Sequence, residues 1–385
     1  MRRLGVGLVG LGWMGSLHTK AYQAVPTVFP ELAVRPVLTH AADTAPDRAA
    51  HARDVLGYAK ADTDYRAVLD DPDVDVVSIC APNALHREIA LAAAERGKPF
   101  WIEKPVGLDS GETADIAAAA TGLVTSVGFN YRWAPAVQGI RDLVTGGELG
   151  RITSARCVFL NGQAADPRVA LSWRFQREFA GSGVLGDLLS HVADLLHYVV
   201  GPVTEVSATS AIVHTQRPIA QMGTGTHFSL IEGGELGPVE NEDHAVALLR
   251  FAGGAIGTAE VSRVVVGPQC GLALEVYGTE GSATWDFERM NEFRLSNLRA
   301  PGYTTVLGHG GLGDYARFQP GPGVAMGYDD LKVIEAGRFL AAVLGVTGIG
   351  EPSTVADALA AARVVQAAVD SATSGSWAQV KETHA

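Results

Sequence analysis

Over the first 128 residues, short β-branched runs alternate with Ala-rich stretches of helical spacing. The runs at 4–9, 34–39, 74–80, 100–102 and 123–127 are apolar almost throughout, the pattern of strands buried on both faces of a parallel sheet. Between them, 14–24, 46–56, 83–96 and 110–120 carry apolar positions three and four apart and predict the covering helices. Asp109, with Glu112 three residues on, marks the start of the last. After residue 130 the period changes to two, with longer strands expected at 152–160, 203–213, 244–251, 255–261, 272–277 and 283–287. Gly253-Gly254 and Gly278-Thr279-Glu280-Gly281 predict tight hairpins between two pairs of them. A helix at 185–200 interrupts this largely antiparallel sheet, and helices at 329–344 and 355–374 close the chain. The stretch 301–327, rich in Gly, Pro and aromatic residues, is too long for a simple connector and reads as a mobile segment or a lid.

A chain of 385 residues with 47% apolar composition exceeds what one core usually supports, so two domains are expected. A net charge of −12 leaves no surplus of basic side chains for a phosphate backbone, which argues against a nucleic-acid partner. Cys80, Cys157 and Cys270 are too few and too scattered for a disulfide framework or a zinc cluster, and fit a reducing cytoplasm. Met1-Arg2-Arg3 precedes an apolar run of only six residues that breaks into glycines without a cleavage site, so it reads as a strand and not a signal peptide. No apolar stretch approaches the roughly 20 residues of a membrane helix, and a soluble protein is expected.

Chemistry enters at Gly10-Leu11-Gly12-Trp13-Met14-Gly15, which follows a strand and opens a helix. Gly10 allows the tight turn, Gly12 lets a pyrophosphate approach the backbone, and Gly15 lets helix and strand pack closely. Trp13 and Met14 lie inside the loop and are counted with it as cofactor contacts. An acidic residue after the second strand would bind the ribose hydroxyls, and Asp43 is the candidate. It lies later than usual because 26–36 lengthens the first crossover. With no arginine read beside it to receive a 2′-phosphate, NAD is favoured over NADP. Ala81-Pro82-Asn83, with Ser78 and His86, lies where an open α/β sheet puts its crevice and is assigned to the cofactor's ribose and nicotinamide side. For His86 a helix-surface histidine is an equal reading.

Oxidising an alcohol requires that its proton leave as the hydride goes, hence a base and a group to stabilise the developing alkoxide. Lys104, in Glu103-Lys104-Pro105 at a strand's carboxyl edge, suits the second task; Glu103 would hold that ammonium or the nicotinamide ribose. Asp187 and His191 are four apart on the helix at 185–200, which carries no Lys, Arg or Glu. Its polar stripe of Asp187, His191, Asp194 and Tyr198 reads as lining a pocket. An imidazole, with an ordinary pKa of about 6.5, suits acid–base work near neutrality. Asp187 would orient it or bind a substrate hydroxyl. Asn130-Tyr131-Arg132 and Trp173-Arg174 each join an aromatic ring to a forked donor. They suit a substrate's hydroxyls or carboxylate, or stacking by Trp173 on a sugar or the nicotinamide; the competing reading is core packing with a snorkelling arginine. His197, His214, His227, His244 and His309 do not cluster with ligand partners, so no metal is expected.

Taken together, the Gly10 fingerprint, Ala81-Pro82-Asn83 with His86, Glu103-Lys104-Pro105, Asn130-Tyr131-Arg132 and the 183–191 stretch resemble the Gfo/Idh/MocA oxidoreductases across nearly the whole chain. The resemblance implies an α/β protein: a Rossmann domain with a doubly wound parallel sheet at 1–128, then an α+β substrate domain with a large, mostly antiparallel open sheet at 129–385. That sheet would serve homodimer or homotetramer contacts, and the helix at 355–374 is read as packing back on the first domain. It further implies Lys104, Asp187 and His191 as the catalytic group, with a secondary hydroxyl of a cyclitol or pyranose sugar as the donor. NAD-dependent glycoside cleavage or elimination through transient oxidation is the alternative, and a catalytically silent sugar or NAD sensor the third reading.

Overall fold

A computed structural model describes residues 1–219 and 229–381. The chain forms two compact units, one of residues 1–107, 111–133 and 314–359, the other of 108–110, 134–313 and 360 onward. In the first, β1 (Arg2–Val9), β2 (Val34–Ala42), β3 (Lys60–Asp62), β4 (Val76–Ile79), β5 (Phe100–Ile102) and β6 (Thr125–Val127) pair in parallel in the order β3-β2-β1-β4-β5-β6. Val6, Leu8, Val76, Val77, Ile79 and the whole of β5 are shut off from solvent, as continuous apolar runs require of strands covered on both faces. The covering helices are α1 (Trp13–Val28), α2 (Pro46–His51), α3 (Tyr65–Asp70), α4 (Asn83–Glu95) and α5 (Ser110–Ala119). Strand order reverses between β1 and β4, and the carboxyl ends of those neighbours bound the crevice of a doubly wound sheet. Gly10, Cys80 and Glu103 are the residues at which the chain leaves β1, β4 and β5. The helix expected at 46–56 is α2 followed by a wider π turn, Ala52–Leu56, that ends at Gly57 with φ 91°. β3 and α3 are too short to show periodicity and were not anticipated.

The second unit begins with α6 (Pro135–Thr145) and β7 (Ile152–Leu160), then α7 (Arg177–Ala180), α8 (Ser190–Val199) and β8 (Val203–Ala211). β9 (Gln216–Pro218) and β10 (Leu236–Pro238) form a small separate ribbon. β11 (His244–Phe251), β12 (Ile256–Ser262), β13 (Gly271–Gly278), β14 (Gly281–Asp286), β15 (Glu292–Asn297) and β16 (Ala300–Leu307) follow. The nine-stranded sheet has the order β16-β15-β14-β13-β7-β12-β11-β8-β17, where β17 is Ala378–Gln379. Every pairing is antiparallel except β12 with β7. Its inner face is apolar in register: Leu272, Leu274 and Val276 of β13 oppose Phe159, Cys157 and Ala155 of β7. β11 alternates buried Ala245, Ala247 and Leu249 with exposed Val246, Leu248 and Arg250, so the other face of this sheet is open.

The stretch expected to be mobile or a lid starts as strand β16 and continues into α9 (Tyr315–Phe318). Backbone carbonyls of Gly321 and Val324 accept from the Tyr315 hydroxyl, and Gln319 donates to the Ala325 carbonyl, so the segment is folded upon itself. Next, α10 (Tyr328–Leu344) lies against α1 within the first unit. Gly337 makes the approach possible, since a Cβ there would stand 2.5 Å from the Phe29 ring. α11 (Val355–Ser374) starts in the first unit, where Ser353 and Val355 bond to Val127 and Thr125 around β6. Its remainder belongs to the second, where Ser371 accepts from the Ala208 amide. The first unit therefore takes in 314–359 beyond the 1–128 read from the chain pattern.

Candidate active site

The glycine loop has the geometry of a phosphate cradle. Gly10 adopts φ 93°, and a Cβ on it would strike the Cys80 carbonyl at 2.5 Å; a Cβ on Gly15 would lie 2.2 Å from the Gly10 carbonyl. Gly12 is different, because nothing lies within 4 Å of its would-be Cβ. It is also the N-cap of α1, so the helix start is left without a side chain over its first amides. Asp43, one residue past β2, accepts from the amides of Leu11 at 2.8 Å and Ala45 at 2.9 Å, so its carboxylate stands against the loop. Arg48 Nη1 lies 3.8 Å from it, which corrects the expectation that no arginine stands beside Asp43: α2 brings it back across one helical turn. Trp13 is well exposed and stacks on Tyr328 of α10 with ring centroids 5.6 Å apart, and Tyr131 meets Tyr328 edge-on at 6.1 Å. Met14 follows Trp13 into the first turn of α1.

At the next strand end, Pro82 caps α4 and Asn83 is its first residue. His86 is fully buried, its Nδ1 2.8 Å from the Pro105 carbonyl and its Nε2 2.8 Å from the Ala81 carbonyl. The ring thus ties the Ala81-Pro82-Asn83 turn to the Lys104-Pro105 turn. Burial pushes its pKa below the ordinary value, although two carbonyl partners together would suit a ring protonated on both nitrogens. Ser78 is a core residue: its hydroxyl lies 3.1 Å from His18 Nδ1 and 3.0 Å from the Tyr22 hydroxyl, beneath the crevice and not lining it. Glu103, expected to reach the cofactor ribose or Lys104, is buried, with Oε1 2.9 Å from His18 Nε2 and 2.6 Å from Lys332 Nζ. Lys104 follows on the strand's carboxyl edge, joined to Pro105 by a cis peptide bond.

Asn130, Tyr131 and Arg132 form a tight turn just past β6 and are all buried. The Arg132 guanidinium is 3.5 Å from Asp357 at the start of α11 and covers the rings of Phe129 and Trp133, a packing role more than a hydroxyl clamp. The side-chain amide of Asn130 is buried with neither its oxygen nor its nitrogen hydrogen-bonded among the described residues. Such an orphaned amide at a strand end fits a partner brought by a ligand.

In the second unit, Asp187 lies in a π turn, Leu185–Leu189, that runs directly into α8. A regular α-helix was expected over 185–200; the wider turn is held from outside, where Glu242 Oε1 accepts from the amides of Gly183 and Leu185. π turns inserted in helices often mark functional positions. His191, one residue into α8, is buried with its ring 5.9 Å from that of Phe159. Arg174 Nη1 lies 3.7 Å from Asp187 Oδ2, and its guanidinium covers the Trp173 ring at 4.5 Å. The Arg174 carbonyl accepts from Asn241 and Arg263, which fixes the 173–175 turn. Trp173, Arg174 and Asp187 therefore form one cluster. Among the described residues no group of three or more His, Cys, Asp and Glu is placed to hold a metal ion, and His227 lies outside them.

Two families match in succession. Residues 4–129 match the oxidoreductase family with an NAD-binding Rossmann fold, and 137–284 match the GFO/IDH/MocA C-terminal domain. The chain belongs to the Gfo/Idh/MocA oxidoreductases. It is 38% identical to levoglucosan dehydrogenase of Pseudarthrobacter phenanthrenivorans over 397 residues that span 100% of both proteins. It is 28% identical over 279 residues, 71% of each protein, to scyllo-inositol 2-dehydrogenase (NAD(+)) of Bacillus subtilis. A solved levoglucosan dehydrogenase in complex with NADH and levoglucosan superposes with a TM-score of 0.91 at 35% identity, covering 99% of this chain and 100% of that one. This Gfo/Idh/MocA member is an NAD-dependent oxidoreductase, and the open backbone at Gly12 and the Asp43 carboxylate fit that cofactor. No helix among its described residues is long and apolar enough to cross a membrane.

Residues that the chain pattern did not flag are Lys332, His18, Tyr328, Arg48 and Glu242. For Lys332 a signal existed: Lys332, Glu335 and Arg338 recur every three residues in a helix that is otherwise free of charges after its first turn, and charges so placed are either exposed or paired in the core.

Proposed function

We propose that this oxidoreductase oxidises a secondary hydroxyl of a cyclic polyol, a pyranose or anhydropyranose sugar in the first place and a cyclitol in the second. The observation that carries the reading is end-to-end likeness to levoglucosan dehydrogenase, with both domains covered. NAD+, when bound, supplies the hydride acceptor. Gly10, Gly12, Trp13, Met14 and Asp43 would hold its pyrophosphate and adenine ribose, with Ala81, Pro82 and Asn83 toward the nicotinamide side. His191 takes the hydroxyl proton, the Lys104 ammonium stabilises the charge that develops on the oxygen, and Asp187 orients the imidazole or the hydroxyl. Trp173 is assigned a stacking face for the substrate, and Arg174, Asn130 and Tyr131 its polar contacts. In this reading the first unit, which takes in 314–359 besides most of 1–133, serves the nucleotide and the second the substrate, in a cytoplasmic protein whose three cysteines stay reduced.

The test is a steady-state assay of pyranoses, anhydrosugars and cyclitols with NAD and with NADP. Turnover of at least one sugar with NAD is expected, and His191→Ala should lower kcat by about 10²- to 10⁴-fold. No absorbance change at 340 nm with any member of the panel would overturn the proposal.

A further inference from the structure

Around the buried Trp101 ring, four buried ionisable groups from three parts of the chain meet: His18, Glu103, and Lys332 with Glu335. His18 stacks on it with centroids 3.4 Å apart, and the Lys332 ammonium stands 5.6 Å from its centre. Glu103 Oε1 meets both His18 Nε2 and Lys332 Nζ, and Lys332, 229 residues further along, also lies 2.8 Å from Glu335 Oε2 one turn on. Side chains of Lys332 and Glu335 are essentially inaccessible. Burial alone would neutralise Lys332, but Glu103 and Glu335 outweigh it and hold the ammonium charged. Burial would likewise raise Glu103, yet Lys332 and His18 keep it well below the carboxylate range. Burial drives His18 down to about 4, so its ring is neutral.

A buried ion pair is seldom more stabilising than well-packed apolar side chains of the same volume, so stability does not account for this cluster. Geometry does. Glu103 is bonded directly to Lys104, its amide donates to the Ile79 carbonyl, and on the far side the Pro105 carbonyl is held by His86. The backbone that presents Lys104 is pinned at both neighbours. The same helix that carries Lys332 begins with Tyr328, stacked on Trp13 in the glycine loop.

We propose that Lys332 is a positioning residue for Lys104, acting through the Glu103 carboxylate and itself held by Glu335. This rests on the reading of Lys104 as the group that stabilises the developing alkoxide. The test is Lys332→Met in the full chain with NAD. A fall in kcat of about tenfold or more is expected, with the KM for NAD little changed. Amide exchange at 102–106 should quicken by about tenfold while the rest of the sheet stays protected. His18 should also titrate higher by NMR, because the Lys332 charge that disfavours its imidazolium is gone while Glu103 remains; its other ring nitrogen meets the Ser78 hydroxyl of β4, which in turn bonds the Tyr22 hydroxyl of α1, and Glu335 of α10 pairs with Lys332. Lys332→Arg should recover part of kcat.

A folded Lys332→Met protein with kcat within about twofold of the parent and unchanged exchange at 102–106 would overturn the proposal. If that variant does not fold, Glu335→Gln decides: faster exchange at 102–106 supports the proposal, and unchanged exchange removes it. Exchange needs no substrate, so a parent protein inactive on every sugar would sink the functional reading and still leave this inference decided.

Discussion

At the scale of single residues, the glycine loop separates folding from binding. Gly12 has φ −72° and ψ −164°, open to any residue, and nothing near its would-be Cβ. Gly12→Ala should therefore leave stability within about 0.5 kcal/mol, yet raise the NADH dissociation constant about tenfold or more by holding the pyrophosphate off the backbone. Gly15→Ala places a methyl 2.2 Å from the Gly10 carbonyl and should lower the melting temperature as well. Titration calorimetry and thermal melts check the pair, and normal NADH binding by Gly12→Ala would contradict the cradle. Asp43 and Arg48 set up a second contrast. Asp43→Asn removes the charge that repels a 2′-phosphate and releases the exposed Arg48, 3.8 Å away. A charge-assisted hydrogen bond contributes about 1.5–3 kcal/mol, so the ratio of kcat/KM for NAD over NADP should fall by at least about tenfold. Adding Arg48→Ala should abolish the shift; a shift that survives it would exclude Arg48 as the cause. The places of Gly10, Asp43 and Lys104 at the ends of β1, β2 and β5 are legible in the chain, because each is tied to a local turn or strand end. Glu103's partners were not: His18 and Lys332 lie 85 and 229 residues from it, and no spacing rule reaches that far.

At the scale of elements, the β-α alternation of the first domain and six of the long strands of the second are legible in the sequence, since each strand's face is fixed by burial. What escaped was short, as β3 and α3, or placed by distant partners, and it included the helix α6 and the strand β15. The π turn at Leu185–Leu189 is dictated by Glu242, and β16 by its pairing with β15, neither of which shows in local periodicity. The return of α10 to α1 is of the same kind, and it makes a prediction. In a helix interior alanine is favoured over glycine by about 1 kcal/mol. At Gly337, however, the added methyl meets three Phe29 ring atoms at 2.5–2.7 Å, and overpacking of that sort costs about 1–3 kcal/mol. The clash should win, so Gly337→Ala should lower the midpoint of urea unfolding. A raised midpoint would show that the α1–α10 contact yields readily, and would weaken the case for α10 as a rigid mount for Lys332.

For the whole molecule, the open face of the nine-stranded sheet raises the question of what covers it. Val246 and Leu248 on β11 and Ile256 on β12 are exposed at 37%, 51% and 64% on this face, with Glu260 and Thr258 opposite the first two and Arg250 opposite Ile256. Large aliphatic side chains exposed among polar ones on an open sheet face are the mixed surface that a protein interface uses, and a sheet face offers the flat area that a stable homodimer buries, roughly 1,200–2,000 Å² or more in total. The expected outcome is that light scattering finds the parent protein well above its 40.3 kDa chain mass at micromolar concentration. Leu248→Arg with Ile256→Arg should then shift it toward the single-chain mass, because isologous contact sets each new guanidinium against like charge or apolar surface. Both positions are solvent-facing in one chain, so the unfolding midpoint of each chain's core should move little. A parent that already scatters as a single chain, or a doubly substituted protein that stays assembled, would place the contact elsewhere on the molecule.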